Sequence, residues 1–105
     1  MDIDIDKISG IGEYIEKTLE VDKEKVRVFH VGDDVENKAF LVIRKNTIEL
    51  RTDRKLGQLL REKYESVMES RYFGRGGIEI VNSGQLQKDE VEDLVRLSYN
   101  LTTSL

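Results

Sequence analysis

The stretch 39–67 constrains the fold most, because strand and helix patterns follow one another in it without a break. Apolar residues fill positions 40–43 and alternate with polar residues over 47–51, which predicts two strands. Lys45-Asn46 lies between them, and Asn tolerates the positive φ of a two-residue turn. The pattern therefore predicts a β-hairpin over residues 39–52.

A helix is predicted to begin directly after this hairpin, with Thr52 or Asp53 as its N-cap. Its apolar residues recur every three or four positions and therefore lie on one face: Leu56, Leu59, Leu60, Tyr64 and Val67. Gly57 costs such a helix about 1 kcal/mol relative to alanine, and close packing against the sheet explains its presence. The predicted helix ends at Glu65 or Ser66.

The segments before the hairpin predict a helix and a strand. The acidic start, residues 1–7, is predicted to be poorly ordered. Helical spacing over 8–20 predicts a first helix, carried by Ile11, Ile15, Thr18 and Leu19. Alternation over 26–31 predicts a strand that ends at Gly32 and joins the hairpin in an antiparallel meander.

The segments after the central helix predict two strands and a last helix. A weaker alternation over 67–73 predicts a strand, which Gly74-Arg75-Gly76-Gly77 interrupts, and residues 78–81 predict the next. A helix begins at Gln87, with its apolar face formed by Val91, Leu94, Val95, Leu97 and Leu101.

These elements give the order α-β-β-β-α-β-β-α in one domain over residues 1–105. Strands joined by short turns favour antiparallel pairing, and the helices need a sheet face to bury their apolar sides. We therefore expect the α+β class, with a five-stranded, mainly antiparallel sheet covered by helices.

Composition excludes several classes of protein. The chain has no cysteine, so disulfides and thiolate chemistry are excluded. No apolar run approaches the roughly 20 residues that span a bilayer, and the acidic start lacks the basic and apolar regions of a secretory signal. No cofactor fingerprint or metal-ligand cluster is visible. We expect a soluble cytoplasmic protein with no cofactor, no metal and no membrane contact.

Positive charge is concentrated in the middle of the chain. Residues 1–37 carry 5 basic and 11 acidic side chains, residues 38–75 carry 10 and 5, and residues 76–105 carry 2 and 5. The three segments have net charges of −6, +5 and −3, which sum to the −4 of the whole chain. The hairpin and central helix therefore hold the positive charge.

This basic stretch is a candidate nucleic-acid contact, because cations on one surface release counterions when they neutralise phosphates. Arg44 and Lys45 would form a wing at the hairpin tip, and three cations would extend it along the helix start. The predicted contacts are Arg44, Lys45, Arg51, Arg54, Lys55 and Arg75. They belong to a basic set of ten that also includes Lys38, Arg61, Lys63 and Arg71. The alternative is that these are solvated charges, half of them offset by nearby acids, in a chain whose pI is about 5.1.

Four smaller candidates each have a structural alternative. The segment 72–77 sets two aromatics beside a cationic glycine-rich turn, which suits base stacking or a plain hairpin connection. His30 lacks the partners of a zinc site or triad, which favours packing. Asp33, Asp34 and Glu36 do not match a calcium loop, which favours a solvated loop. Ser98 and Tyr99 are assigned structural roles on the last helix.

Most of the chain after its first quarter resembles the MmcQ/YjbR family of small bacterial and archaeal proteins. The resemblance covers roughly residues 26–101 and depends on the order and spacing of short segments. These are Val28-Phe29-His30-Val31-Gly32, Lys38-Ala39-Phe40, Leu50-Arg51, Leu59-Leu60-Arg61-Glu62-Lys63-Tyr64, and Leu94 with Ser98-Tyr99.

The resemblance implies the α-β(3)-α-β(2)-α arrangement that the family shares with type III secretion chaperone-like proteins. It also implies DNA binding, because members are commonly described as DNA-binding proteins with a double-wing shape. This chain departs from the family at residues 73–78, where a basic stretch and a tryptophan are common but one arginine and no tryptophan occur. About five additional residues lie between Gly32 and Lys38.

Two hypotheses of function follow, and both are non-enzymatic. The first is a DNA-binding protein that uses the basic hairpin and helix start. The second is a protein-interaction or homodimerisation module that uses a sheet edge or the last helix and binds no nucleic acid. An enzyme ranks third, because no nucleophile with a base partner is visible. The dependence of binding on salt distinguishes the first two hypotheses. Added salt weakens DNA binding steeply and hardly weakens an apolar protein interface.

Overall fold

The computed structural model describes residues 2–32 and 38–105. In this part of the chain, six strands form one antiparallel sheet with the spatial order β1-β2-β3-β4-β6-β5. The elements are a 3-10 turn at Ile5–Lys7, β1 (Tyr14–Val21), β2 (Glu24–Val31), β3 (Ala39–Ile43), β4 (Thr47–Arg51), α1 (Arg54–Lys63), β5 (Val67–Ser70), β6 (Gly74–Val81) and α2 (Lys88–Thr103). The α+β class with a mainly antiparallel sheet is confirmed, as is the predicted order of elements from β2 onward.

The central hairpin and helix form where their sequence predicts, but neither Lys45 nor Asn46 has the positive φ expected of the turn. The Arg44 N–H donates a hydrogen bond of 2.9 Å to the Thr47 carbonyl and closes the turn between β3 and β4. The Asp53 carboxylate accepts from the Leu56 N–H at 2.8 Å, which makes Asp53 the N-cap of α1. The helix ends at Lys63, two to three residues earlier than predicted.

The predicted first helix over 8–20 is wrong, because most of this segment forms the edge strand β1. Ile15 and Leu19 are four residues apart, a spacing that fits one face of a helix and also one face of a strand. The turn to β2 places Asp22 and Lys23 at φ values of 52° and 66°, as a two-residue hairpin turn requires. The sheet therefore has six strands instead of the predicted five.

Two further expectations need correction. The start of the chain, residues 2–7, packs against the rest of the protein. Ile5 is buried in the core, and the Tyr14 hydroxyl donates a hydrogen bond to Asp6 at 2.6 Å. The segment Gly74-Arg75-Gly76-Gly77 does not interrupt a strand, because it forms the first half of β6. Gly77 pairs with Arg51 of β4 there.

The two helices lie on one face of the sheet, where the main core forms. α1 packs on β5 and β6, and α2 packs on β2, β3 and β4. Fully buried strand residues fill the space beneath them: Phe29, Phe40, Leu41, Ile48, Leu50, Ile78 and Ile80. The opposite face, called the helix-free face below, holds a second buried cluster of Val26, Val28, Ala39 and Val42.

A bulge and a serine fix α2 on the sheet. His30 pairs with Ala39 and Phe29 with Leu41, so Phe40 is an additional residue in β3 that reaches the core under α2. The buried Ser98 hydroxyl donates to the Phe40 carbonyl at 2.6 Å and accepts from the Arg51 N–H at 2.9 Å. Ser98 is therefore structural, and it bonds to the sheet instead of its own helix.

The helix-free face is closed by the connection between β5 and β6, which folds over it. Phe73 packs against the second buried cluster, and the Arg51 guanidinium lies 4.9 Å from the centre of the Phe73 ring. Gly77 allows this close approach. A Cβ there would overlap the Leu50 carbonyl oxygen and lie 2.7 Å from the Phe73 Cβ.

We expect Gly77→Ala to lower the free energy of unfolding by about 1–3 kcal/mol, because backbone atoms of β4 and β6 must move apart. Urea denaturation measures this as a lower midpoint. Gly76→Ala is the matched control, since the nearest atom to its Cβ, the Phe73 carbonyl oxygen, is 3.6 Å away. Equal midpoints for the two variants would contradict the close approach at Gly77.

Candidate functional site

Arg44 lies inside the protein and not on a wing. Its side chain is 1% exposed, and its guanidinium forms ion pairs with Glu49 at 2.5 Å and with Glu24 at 3.2 Å. Side-chain directions alternate along a strand, so Arg44 points to the face opposite that of Ile43. This is the helix-free face, where the two carboxylates lie. Arg44 is therefore not available as a surface contact for a phosphate, contrary to the expectation of a basic hairpin tip.

The structure divides the remaining candidate cations between two ends of the sheet. Lys45 is exposed at the turn before β4, whereas Arg51 ends that strand. The strand Thr47–Arg51, about 13 Å long, lies between the turn and the helix start. The basic hairpin and the basic helix start are therefore two separate surfaces.

Four predicted cations lie together at the end of β4, a surface called the basic end below: Arg51, Arg54, Lys55 and Arg75. β6 brings Arg75 close, because the Thr52 N–H donates to the neighbouring Gly76 carbonyl at 2.9 Å. The first turn of α1 contains two of these cations and no acid. Positive side chains at the positive end of the helix dipole leave this surface favourable to an anion.

Arg51 is only partly available to a ligand. Its Nε donates to the Ala39 carbonyl at 2.6 Å, and its guanidinium stacks on Phe73. Burial lowers the pKa of Arg51 below its ordinary value. By contrast, Arg54, Lys55 and Arg75 are exposed, so these three carry the ligand-accessible charge of the basic end.

Two buried carboxylates, which sequence reasoning did not identify, lie opposite each other on the helix-free face. Glu49 of β4 pairs with Glu79 of β6 across the sheet, and both are almost fully buried. The Glu49 carboxylate accepts from Arg44, from the Ser70 hydroxyl at 2.7 Å and from the Tyr72 N–H at 2.8 Å. The alternation of apolar and polar residues over 47–51 indicates which face of the sheet Glu49 occupies. It contains no signal that another part of the chain covers this face.

Glu79 is held in its charged form by a second arginine. Arg71 donates to its two oxygens at 2.9 and 2.6 Å, and the Thr47 hydroxyl adds a bond of 2.8 Å. Burial on its own would raise the pKa of Glu79, but the hydrogen bonds from Arg71 and Thr47 outweigh it and lower the pKa below its usual value. Each carboxylate therefore has its own arginine, and this offsets the repulsion between the pair.

A groove runs between the two helices and is called the helix groove below. Its apolar lining is formed by leucines: Leu56 and Leu60 from α1, and Leu94, Leu97 and Leu101 from α2. The polar residues of its lining are Arg51, Thr52, Asp53, Glu90, Asp93, Asn100 and Ser104. It consists of a cavity of about 330 Å³ beside the start of α1 and one of about 210 Å³ beside its end. Sequence periodicity assigns these leucines to core faces, but it contains no information on the lateral distance between two helices on a sheet.

Leucines on both walls of the helix groove remain exposed. Leu59 of α1 is 54% exposed and Leu97 of α2 is 52% exposed. Both belong to the apolar sets from which the two helices were predicted. An apolar residue of each helix therefore faces solvent beside a groove that the protein itself does not fill.

The smaller candidates have mainly structural positions. His30 is buried near the end of β2, and Tyr72 and Phe73 contact each other edge to face with their ring centres 5.0 Å apart. Asp33, Asp34 and Glu36 lie outside the described residues. Among residues 2–32 and 38–105, no group of three or more His, Asp or Glu side chains is placed to hold a metal ion. No helix in this part of the chain has the length and apolarity needed to cross a membrane.

The fold and its two candidate sites define a small α+β protein with a basic end and an open apolar groove. Comparison of the chain with models of protein families, with curated proteins and with solved structures finds no match. The resemblance to the MmcQ/YjbR family therefore stays a prediction.

We expect Arg71→Gln to destabilise the protein most at neutral pH. The pKa of Glu79 is lowered in the folded state, so its contribution to stability is present above the ordinary glutamate pKa of about 4.3 and is lost as the pH falls through the folded value. The difference in unfolding free energy between the natural protein and the variant should therefore shrink below about pH 4. Urea denaturation from pH 7 to pH 3 measures it.

The control for this pH dependence is Arg75→Gln, which removes an exposed arginine of the neighbouring strand. Its effect on stability should be small at every pH. A difference for Arg71→Gln that is constant from pH 7 to pH 3 would contradict the role of Arg71 in holding Glu79 ionised.

Proposed function

We propose that this chain is a non-enzymatic protein-interaction module that binds its partner in the helix groove. The observation that carries the proposal is the groove between the two helices, in which Leu97 of α2 is part of the lining and about half exposed. Leu59 lies on α1 next to the groove-lining Leu56 and Leu60 and is also about half exposed. Contiguous apolar surface of this kind commonly marks an interaction site. The proposal includes a cytoplasmic location, which the absence of cysteine supports.

The arrangement of the helices supports the groove as a binding site. α1 lies on β5 and β6, whereas α2 lies on β2, β3 and β4, so each helix is held by the sheet and not by the other helix. The groove between them is therefore formed before a partner arrives. Binding in such a groove loses little conformational freedom of the protein, which favours affinity.

We expect Leu59→Gln with Leu97→Gln to weaken groove binding about tenfold, because each change removes apolar area that a partner would cover. The probe is a labelled 14-residue peptide of alanine, glutamine and leucine, with leucines at helical positions i, i+3, i+4 and i+7 and no charged side chain. Fluorescence anisotropy measures its affinity. Glutamine keeps helix propensity, so the fold should be retained.

Met68→Gln is the matched control, since Met68 is an exposed apolar residue of β5 and lies on the helix-free face. It should leave peptide affinity unchanged. If the peptide does not bind, or binds equally well to the double leucine variant, the groove is not a helix-binding site and the proposed function is wrong.

Nucleic acid at the basic end is a second candidate, favoured by one specific observation. Arg54, Lys55 and Arg75 are exposed, and the first turn of α1 contains no acid, although the carboxylate of Asp53 caps its start. The resemblance to a family described as DNA-binding supports this candidate as well. The net charge of −4 opposes it, because the rest of the protein repels phosphates at low salt.

A salt titration with mixed single- and double-stranded DNA tests the basic end. If DNA binds there, Arg54→Glu with Lys55→Glu should weaken binding and reduce the slope of log K against log salt by about 0.7–0.9 for each lost phosphate contact. Lys45→Glu, at the other end of β4, is the matched control and should have little effect. Equal effects of both variants would argue against a defined DNA contact at the basic end.

A further inference from the structure

We infer that the partner segment in the helix groove is a short amphipathic helix with acidic residues along one edge and basic residues along the other. The inference rests on the function proposed above and adds the charge pattern of the partner. It follows from the opposite charges of the two walls and from the length of the groove.

The α1 wall has two lysines beside it, whereas Asp53, which lines the larger cavity, is the N-cap of this helix and accepts from the Leu56 N–H. Lys55, Leu59 and Lys63 follow one another at four-residue spacing and so form one stripe beside the groove-lining leucines of α1. The acid of this helix, Glu62, accepts a hydrogen bond of 3.0 Å from Gln58 on the stripe farther from the groove. A partner therefore meets two lysines on this side.

The α2 wall is negative beside the smaller cavity. Glu90 and Asp93 line that cavity together with Leu94. Arg96 forms an ion pair with Asp93 at 2.6 Å and also donates from its Nε to the Ser9 carbonyl at 2.5 Å, so the carboxylate of Asp93 is partly neutralised. Glu90 accepts a hydrogen bond of 3.1 Å from the Gln87 N–H. A partner therefore meets two carboxylates on this side.

The two helices that form the walls run antiparallel. The charged residues near the end of α1 and those near the start of α2 therefore lie at the same end of the groove. Leu60 and Tyr64, at the end of α1, share the smaller cavity with the start of α2. Lys63 is thus on the wall opposite Glu90 and Asp93. At the other end, the larger cavity is lined by Arg51 and Asp53 on the side of α1 and by the uncharged residues Asn100 and Ser104 on the side of α2. Lys55 lies on α1 next to the groove-lining Leu56.

The dimensions of the groove limit the length of the partner helix. α1 has 10 residues and is about 15 Å long, which corresponds to roughly three helical turns. Lys55 and Lys63 are about 12 Å apart along the axis. The complementary helix therefore carries acids about eight residues apart on one edge, at least one base on the other edge, and leucine-like residues between them.

Four 14-residue helical peptides with the same leucine positions test the inference. One is the uncharged peptide described above, one has glutamates on one edge and lysines on the other, one has glutamates on both edges, and one has lysines on both. We expect the mixed peptide to bind about five- to tenfold tighter than either single-sign peptide in anisotropy titrations at low salt. Raising the salt to 0.5 M should remove most of this preference.

Charge reversal in the protein should change which peptide binds with the highest affinity. Lys55→Glu with Lys63→Glu makes both walls negative, so the all-lysine peptide should become the tightest ligand. Both lysines are exposed, and circular dichroism checks that the variant folds. Leu59→Gln with Leu97→Gln should lower the affinity of every peptide that binds in the groove. A peptide that is only attracted to the basic end, as the all-glutamate peptide could be, would keep its affinity.

The outcomes separate the inference from the function on which it rests. If the uncharged and charged peptides bind equally well, the groove binds helices and the charge pattern is wrong. If no peptide binds, the proposed function itself is wrong. If light scattering gives the mass of two chains and Leu59→Gln with Leu97→Gln restores one, a second copy occupies the groove and the inference of a separate partner helix is overturned.

Discussion

The buried carboxylate of Glu49 is the interaction on which most of the helix-free face depends. It accepts from Ser70 and from the Tyr72 N–H, and Ser70 in turn accepts from the Phe73 N–H at 2.8 Å. These bonds hold the connection between β5 and β6 across the sheet, which places Phe73 on the second buried cluster. A buried ion pair adds little net stability, but removing one partner leaves an unpaired charge and costs about 3–5 kcal/mol.

This network makes the two faces of the sheet different in kind. The helix-free face is closed by the chain's own arginines, carboxylates and Phe73, so no further element is needed to cover it. The other face is covered by two helices that each lie on their own strands and leave leucines on both walls of a groove. The groove with its leucines therefore lies on the helical side, whereas the cations of the basic end are arranged around the strand ends.

Local signals predicted the hairpin and the two helices, because periodicity and the Asp53 cap act over a few residues. β1 was missed because Ile15 and Leu19 have a spacing that suits a helix and a strand equally. Arg44 was placed on the surface because alternation shows which face a residue occupies and not what covers that face. The groove depends on where two helices lie on the sheet, which is a tertiary property without a local signal.

The pairing of Glu49 with Glu79 has a consequence for how this sequence can change over time. The two glutamates lie side by side, and each is neutralised by its own arginine, Arg44 or Arg71. Loss of either arginine leaves two carboxylates competing for one cation, so the glutamate beside it must be replaced as well. The four positions form an evolutionary unit, whose members are expected to be kept or exchanged together in any lineage that retains this sheet.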